Sequence, residues 1–150
     1  YLKNLGVDIS GLDLSEEMVK LARMNHPGID FRQGNMLESG FENDSAAGVI
    51  AFYAIVHFTE DQVKQAFSEI FRVLKRGGIF LLTFHIGEET IHIDEFLGKK
   101  IDADFMFFRI DFIKYSLEGC GFEIMEIIER EPYPDVEYQS RRAYVFAVKH

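Results

Sequence analysis

An α/β fold, with helices wound on both faces of a mostly parallel sheet, is the architecture this chain predicts, and three observations predict it. Apolar runs of strand length alternate with amphipathic stretches of helix length along most of the sequence. The run Gly48-Val49-Ile50-Ala51-Phe52-Tyr53 is continuous rather than alternating, as in a strand covered on both faces. The last two apolar segments are joined by a loop without a helix, which permits an antiparallel pair at the end of the sheet.

Taken in order, residues 1–6 read as the last turn of a helix closed by Gly6. Residues 7–12 form the first strand, which runs into Asp13. Ser15 then caps a helix with Glu16 and Glu17 in its first turn, where acids favour the helix dipole. Met18, Leu21 and Ala22 mark an inward face at i, i+3, i+4 spacing, and Asn25-His26-Pro27-Gly28 ends that helix. Residues 29–32 make a short second strand, and the passage between is long enough for a parallel crossover. A polar stretch over 41–47 leads to the apolar run at 48–53. Thr59 caps the next helix, whose apolar stripe is Val63, Phe67, Ile70, Phe71 and Leu74. Lys75-Arg76-Gly77-Gly78 reads as its stop, basic residues followed by glycine, and residues 79–84 as a buried strand. Residues 85–108 show no clean period. A helix is predicted over 110–118 and strands over 122–128 and 143–148, with a polar, proline-bearing loop at 131–142.

Composition narrows the function. A chain of 150 residues is one domain by size, and 47% hydrophobic residues suffice for a packed core. Sixteen Lys and Arg against 25 Asp and Glu give a net charge of −9, a field that repels phosphate backbones and argues against nucleic acid as the main partner. The single cysteine, Cys120, excludes an internal disulfide and fits a reducing cytoplasm. No apolar run reaches the roughly 18–20 residues of a membrane span, and no signal peptide is recognisable.

Asp13 carries the first functional signal. In an open α/β sheet, ligands bind outside the carboxyl ends of the strands, where Asp13 falls. A carboxylate there accepts two hydrogen bonds from vicinal hydroxyls, as the ribose of a nucleoside cofactor presents them.

Gly11-Leu12-Asp13-Leu14-Ser15-Glu16-Glu17-Met18 resembles the second-strand motif of the class I S-adenosylmethionine-dependent methyltransferases. Phe31-Arg32-Gln33-Gly34-Asn35-Met36 resembles that family's third-strand motif, with Asn35 where Asp is usual. Residues 49–57 resemble its fourth strand and following turn, Arg72-Val73-Leu74-Lys75-Arg76-Gly77-Gly78 its R-x-L-K-P-G-G step, and Leu117-Glu118-Gly119-Cys120-Gly121-Phe122 its L-x-x-x-G-F step. Five pieces in order cover essentially the whole chain. Two departures stand beside them: Ala47 occupies a position that is commonly Asp, and the first strand with its glycine-rich loop is absent.

The resemblance implies a Rossmann-like sheet of order 3-2-1-4-5-7-6, mostly parallel with an antiparallel last strand, S-adenosyl-L-methionine as cofactor and a small-molecule methyl acceptor. It implies that Asp13 binds the ribose hydroxyls, that Leu14 and Met18 pack beside the adenine, and that Asn35 and the Met36 backbone N–H read its edge. Phe52 and Tyr53 face the methionine part. His57 follows the fourth strand near the place of an acceptor and is the candidate catalytic base, a residue type suited to proton transfer near neutral pH. A histidine hydrogen-bonded to backbone is the plainer role for it. His85 and Arg141 are the candidate substrate contacts, although Arg141 has Glu129, Glu131 and Glu137 as local ion-pair partners. His85, Glu88, His92 and Asp94 lack a recognised metal-ligand spacing, so no metal is expected. Residues 85–108, with four phenylalanines, are expected to cover the acceptor pocket.

Two other function classes fit Asp13: a non-catalytic cofactor-binding or regulatory domain of the same fold, and a nicotinamide-dependent oxidoreductase, whose ribose the same carboxylate would serve. The absent first strand leads to a further expectation. Residues 1–150 would be the C-terminal part of one methyltransferase domain, inactive alone, with a gap between strands two and four or a strand borrowed from another chain.

Overall fold

The structure, a computed structural model, describes residues 1–96 and 98–150, and the chain divides into two compact units, Tyr1–Phe41 and Glu42–His150. The first unit opens with a 3-10 turn, Leu2–Leu5, closed by Gly6 in the left-handed conformation. Strand β1 (Ser10–Asp13) and strand β2 (Asp30–Gln33) pair in parallel around helix α1 (Glu16–Asn25). Ser15 caps α1 as its sequence position predicts, its Oγ accepting the Met18 N–H at 3.3 Å. Arg23 ties α1 to β2 through its Nε, 2.9 Å from the Phe31 carbonyl.

The inward face of α1 is not the predicted one. Val19 is its buried residue, while Met18 and Leu21 remain about half exposed (53% and 49%). Two strands form too narrow a support to cover a full helical stripe, so a single residue fills the contact.

The second unit holds β3 (Ala46–Phe52), α2 (Glu60–Val73), β4 (Leu74–His85), β5 (Thr90–Phe96), β6 (Lys99–Met106), α3 (Ile110–Gly119), β7 (Phe122–Arg130) and β8 (Arg142–Lys149). Its main sheet runs β3-β4-β8-β7, with β3 parallel to β4 and β8 antiparallel to both neighbours. In the sequence-based numbering this is 4-5-7-6, and the β1-β2 pair is 2-3. Among the described residues no strand of one sheet pairs with the other.

The core lies on one face of that sheet. Phe80, Leu82 and Phe84 of β4 stand beside Ala143, Val145 and Ala147 of β8, all buried. Helix α2 closes over them with Val63, Ala66, Phe67 and Ile70, and α3 adds Ile113 and Leu117. Phe67 meets Phe80 edge to face at 5.8 Å. Lys149 reaches the end of α2, its Nζ donating to the Phe71 and Leu74 carbonyls and to Asp44 at 2.7 Å each. A cation there complements the helix C-terminus. The opposite face departs from expectation, because Ile50 and Phe52 of β3 stay 54% and 60% exposed. The continuous apolar run therefore has one open face here.

Two further boundaries differ from the sequence reading. Helix α2 ends at Val73, before the Lys75-Arg76-Gly77-Gly78 stop, because Leu74 is already extended and buried in β4. Those glycines serve the strand instead. Gly77 takes φ +74°, and a Cβ at Gly78 would lie 2.8 Å from the Lys75 carbonyl oxygen. The segment without a period is a β-hairpin, β5 and β6, with Ile91 opposite Phe105. Its inward apolar residues recur every second position, and outward acids between them mask the pattern.

Candidate active site

In the first unit the predicted nucleoside contacts come together at the carboxyl ends of β1 and β2. Asp13 lies opposite Gln33, and its carbonyl accepts the Gly34 N–H at 2.9 Å, which places Asn35 and Met36 beside it. One Asp13 carboxylate oxygen, Oδ1, is fixed by the Ser15 N–H at 2.8 Å. The other has no partner among the described residues. Leu14, next to it in the chain, is 71% exposed, and Met18 in the first turns of α1 is exposed as well. Exposed apolar groups around an unpaired acceptor suit a flat base with a ribose attached. Asn35 is exposed and turns its Oδ1 to the Leu37 N–H at 3.0 Å, which leaves the amide N–H₂ and a second lone pair available. These residues fit the adenosine part of S-adenosylmethionine.

In the second unit Phe52, Tyr53, His57 and His85 gather at the carboxyl ends of β3 and β4. Tyr53 adopts a positive φ of 52°, uncommon for a large residue and a frequent mark of functional positions. Its N–H is held by the Thr83 Oγ1 at 2.9 Å. The Tyr53 hydroxyl is buried without a hydrogen-bond partner among the described residues, and burial pushes its pKa up to about 12, with Tyr144 adding to the rise. The Tyr53 ring packs edge-on to Phe52 at 4.9 Å and stacks on His85 at 4.9 Å. Phe107 stacks on the His85 ring at 5.1 Å. His57 sits under the hairpin, its Nδ1 2.8 Å from the Asp104 carbonyl oxygen and its ring edge-on to Phe105. A carbonyl only accepts, so Nδ1 carries the proton and Nε2 keeps a free lone pair. The hairpin therefore lies at the carboxyl edge of the sheet, bonded there also by Met106 N–H to the Val56 carbonyl.

Arg141 stands apart from this cluster. It pairs with Glu129 and, at 3.3 Å, with Glu131, the local ion pairs its neighbours offered. The arginine that enters the fold is Arg142, buried and donating to the Ser140 and Tyr138 carbonyls at 2.9 and 3.0 Å. Its partner Glu137, one of the three glutamates the sequence offers to the arginines of this stretch, accepts a two-pronged bond from Arg130 (2.8 and 2.7 Å) and the Tyr133 N–H at 2.8 Å. Counting back by two from Tyr144 along β8 puts Arg142 on the Tyr144 face, a signal that was present. This loop ends on Ser140, whose Oγ meets the His85 Nδ1 at 2.6 Å. Burial first, and then the Arg142 charge, lower the His85 pKa, against Glu137.

The Arg130 clamp holds the Glu137 carboxyl down to about 2, from an ordinary 4.5. A depressed carboxyl contributes stability above its unfolded value and loses it as pH falls to the folded one. The expected result is a loss of stability between pH 4.5 and about 2 that is smaller in Glu137→Gln, read by urea unfolding across that range. Equal acid sensitivity in both proteins would show the clamp to be without weight.

Among the described residues no group of three His, Cys, Asp or Glu is placed to hold a metal ion, and no helix is long and apolar enough to cross a membrane. His92 instead pairs with Asp104 across the hairpin, at 2.9 Å. Cys120 is half-buried with its Sγ 3.4 Å from the Ser68 Oγ.

Parallel strands joined through helices, with candidate ligand-facing residues at their carboxyl ends, are what each unit holds, the arrangement in which α/β domains bind ligands. Comparison with known proteins names the family. A family model described as a methyltransferase domain matches residues 1–82. A "probable S-adenosylmethionine-dependent methyltransferase" of Mycolicibacterium smegmatis is 31% identical over 126 residues, 80% of this chain and 45% of that protein. A crystal structure of an S-adenosylmethionine-dependent methyltransferase from Methanosarcina mazei superposes with a TM-score of 0.87 at 16% identity, over 99% of this chain and 84% of that one. A glycopeptide N-methyltransferase solved with S-adenosyl-L-methionine superposes at 0.74, with 16% identity, over 99% and 80%. This chain belongs to the class I S-adenosylmethionine-dependent methyltransferases. It spans under half the length of the curated relatives it matches first.

Proposed function

We propose that the chain serves transfer of a methyl group from S-adenosylmethionine to a small-molecule acceptor. One observation carries this reading: at the carboxyl end of β1, Asp13 has one oxygen locked by the Ser15 N–H and the other without a partner among the described residues, and the neighbouring Leu14 and Met18 are exposed. Asp13 would hold the ribose hydroxyls, Leu14 and Met18 the adenine faces, and Asn35 with the Met36 N–H its edge. Phe52 and Tyr53 would face the methionine part. When bound, the cofactor supplies an electrophilic methyl on a sulfonium whose positive charge disappears on transfer. Placement in a water-poor site therefore supplies much of the rate, and Phe52, Phe105 and Phe107 provide such walls. His57 takes the proton, through Nε2, from acceptors that must lose one. His85 contacts the acceptor. Arg141 is left out of that role by its pairing with Glu129 and Glu131.

A cytoplasmic setting is supported by the single, unpaired cysteine. The deciding experiment is calorimetric titration of the protein with S-adenosylhomocysteine and, separately, with NAD. Saturable binding of the first and none of the second is expected. Binding of NAD alone would transfer the Asp13 site to nicotinamide chemistry, and binding of neither would favour a domain without cofactor.

A further inference from the structure

His85 ends β4 and stands opposite Arg142 in the β4–β8 ladder. Its imidazole stacks on two neighbouring rings, Tyr53 at 4.9 Å and Phe107 at 5.1 Å. Stacking fixes the plane of a ring and not its sense. A half-turn about Cβ–Cγ keeps both stacks and exchanges Nδ1 with Cδ2 and Cε1 with Nε2. One contact tells the two orientations apart: Nδ1 lies 2.6 Å from the Ser140 Oγ, while Nε2 has no partner among the described residues. We propose that Ser140 is a positioning residue, selecting the edge of the His85 ring on which the unpaired Nε2 stands, and that Arg142 holds Ser140 in place for it.

The choice has chemical weight because the ring is held neutral. Burial, and then the Arg142 charge, keep its pKa below the ordinary histidine value, with Glu137 opposing them. A neutral imidazole has one N–H and one lone pair, on different nitrogens, and its carbon positions offer neither. In the turned ring a C–H would face the Ser140 hydroxyl, which would lose its partner. Nε2 would then stand on another edge.

Ser140 is held from several sides. The buried Arg142 guanidinium donates to the Ser140 and Tyr138 carbonyls at 2.9 and 3.0 Å. Burying a guanidinium is costly unless its donors are satisfied, and here two of them go to the carbonyls on either side of Gln139. The Ser140 N–H returns to the Tyr138 carbonyl at 2.9 Å. One residue past His85, the Ile86 N–H donates to the Arg141 carbonyl at 2.9 Å, so the backbones on both sides of the contact are joined. Glu137, 3.5 Å from Arg142, carries the pairing on to Arg130. That Nε2 contacts the methyl acceptor rests on the reading proposed above. The selection of the ring edge does not.

The test is nuclear magnetic resonance, through Overhauser contacts between the β-protons of residue 140 and the carbon-bound ring protons of His85. With Nδ1 toward Ser140 the near proton is Hε1, and in the turned ring it is Hδ2. The unaltered protein is expected to show the Hε1 contact about tenfold stronger than the Hδ2 contact, the worth of one net hydrogen bond. Ser140→Ala should bring the two to comparable strength, and Ser140→Thr, which keeps the hydroxyl, should restore the difference. Arg142→Lys keeps the charge and loses the fork to two carbonyls, so it should also even out the contacts with Ser140 intact. Comparable contacts in the unaltered protein, one orientation persisting in Ser140→Ala, or no recovery in Ser140→Thr would each overturn the role of Ser140. One orientation persisting in Arg142→Lys would overturn that of Arg142. Calorimetry of the unaltered protein with S-adenosylhomocysteine separates the two readings. Absence of binding would remove the methyl-transfer reading and leave the ring selection standing, and binding beside comparable contacts would remove the ring selection alone.

Discussion

Replacing Asp13 by alanine is expected to weaken S-adenosylhomocysteine binding by about 1.5–3 kcal/mol, roughly ten- to 150-fold, while the protein stays folded. Hydrogen bonds to an ionised partner sit at the upper end of the net scale, and a ribose presents two of them. Asp13 is exposed and its carboxylate, among the described residues, meets only the Ser15 N–H, so removing the side chain exposes nothing apolar and leaves one solvent-reachable donor. Asp13→Asn separates the two effects. Its Oδ1 can still accept from Ser15, so α1 keeps its entry, but the charge and one ribose acceptor are lost. Calorimetry on both variants, with urea unfolding as the control, reads the result. Unchanged affinity in Asp13→Ala would remove the ribose assignment and with it the observation on which the proposed function rests.

Local chemistry made some elements legible. Ser15 and Thr59 each accept the N–H three residues on, and Gln62 returns a bond to the Thr59 N–H, so both helix starts follow from side chains within one turn. Asp13 and the Gly34-Asn35 turn were legible for the same reason: parallel strands deliver their carboxyl ends to one edge. Errors appear where the deciding partner is distant in sequence. Lys75-Arg76-Gly77-Gly78 carries every local sign of a helix stop, yet pairing of Leu74 opposite Ala46 ends the helix sooner. The hairpin is hidden because its inner face holds few residues per strand, with the outward acids Asp94, Asp102 and Asp104 set between them. Glu137 is legible as an ion-pair partner, but which arginines it takes is not, since Arg130 and Arg142 lie on two different strands. Arg141 and Arg142 are indistinguishable by type: Arg141, just before β8, pairs with Glu129, whereas Arg142, the first residue of β8, is buried and donates to the Ser140 and Tyr138 carbonyls.

The largest loss of stability is expected at Phe67. Its side chain is fully buried on α2, within the stripe of Val63, Ala66, Ile70 and Val73, and its ring meets Phe80 of β4 at 5.8 Å. That contact joins helix to sheet at the centre of the second unit's core. Phe67→Ala removes the apolar area and leaves a cavity that the β4 and β8 residues, fixed by their ladder, cannot collapse to fill. Such truncations cost about 3–5 kcal/mol, a large share of the roughly 5–15 kcal/mol that holds a domain together. Phe67→Leu keeps much of the volume, loses the ring contact and should cost markedly less. Tyr115→Ala, 75% exposed on α3, is the surface control and should stay within about 0.5 kcal/mol. Urea unfolding of the three variants orders them, and a cost below about 1 kcal/mol at Phe67→Ala would show that α2 does not close the core through this residue.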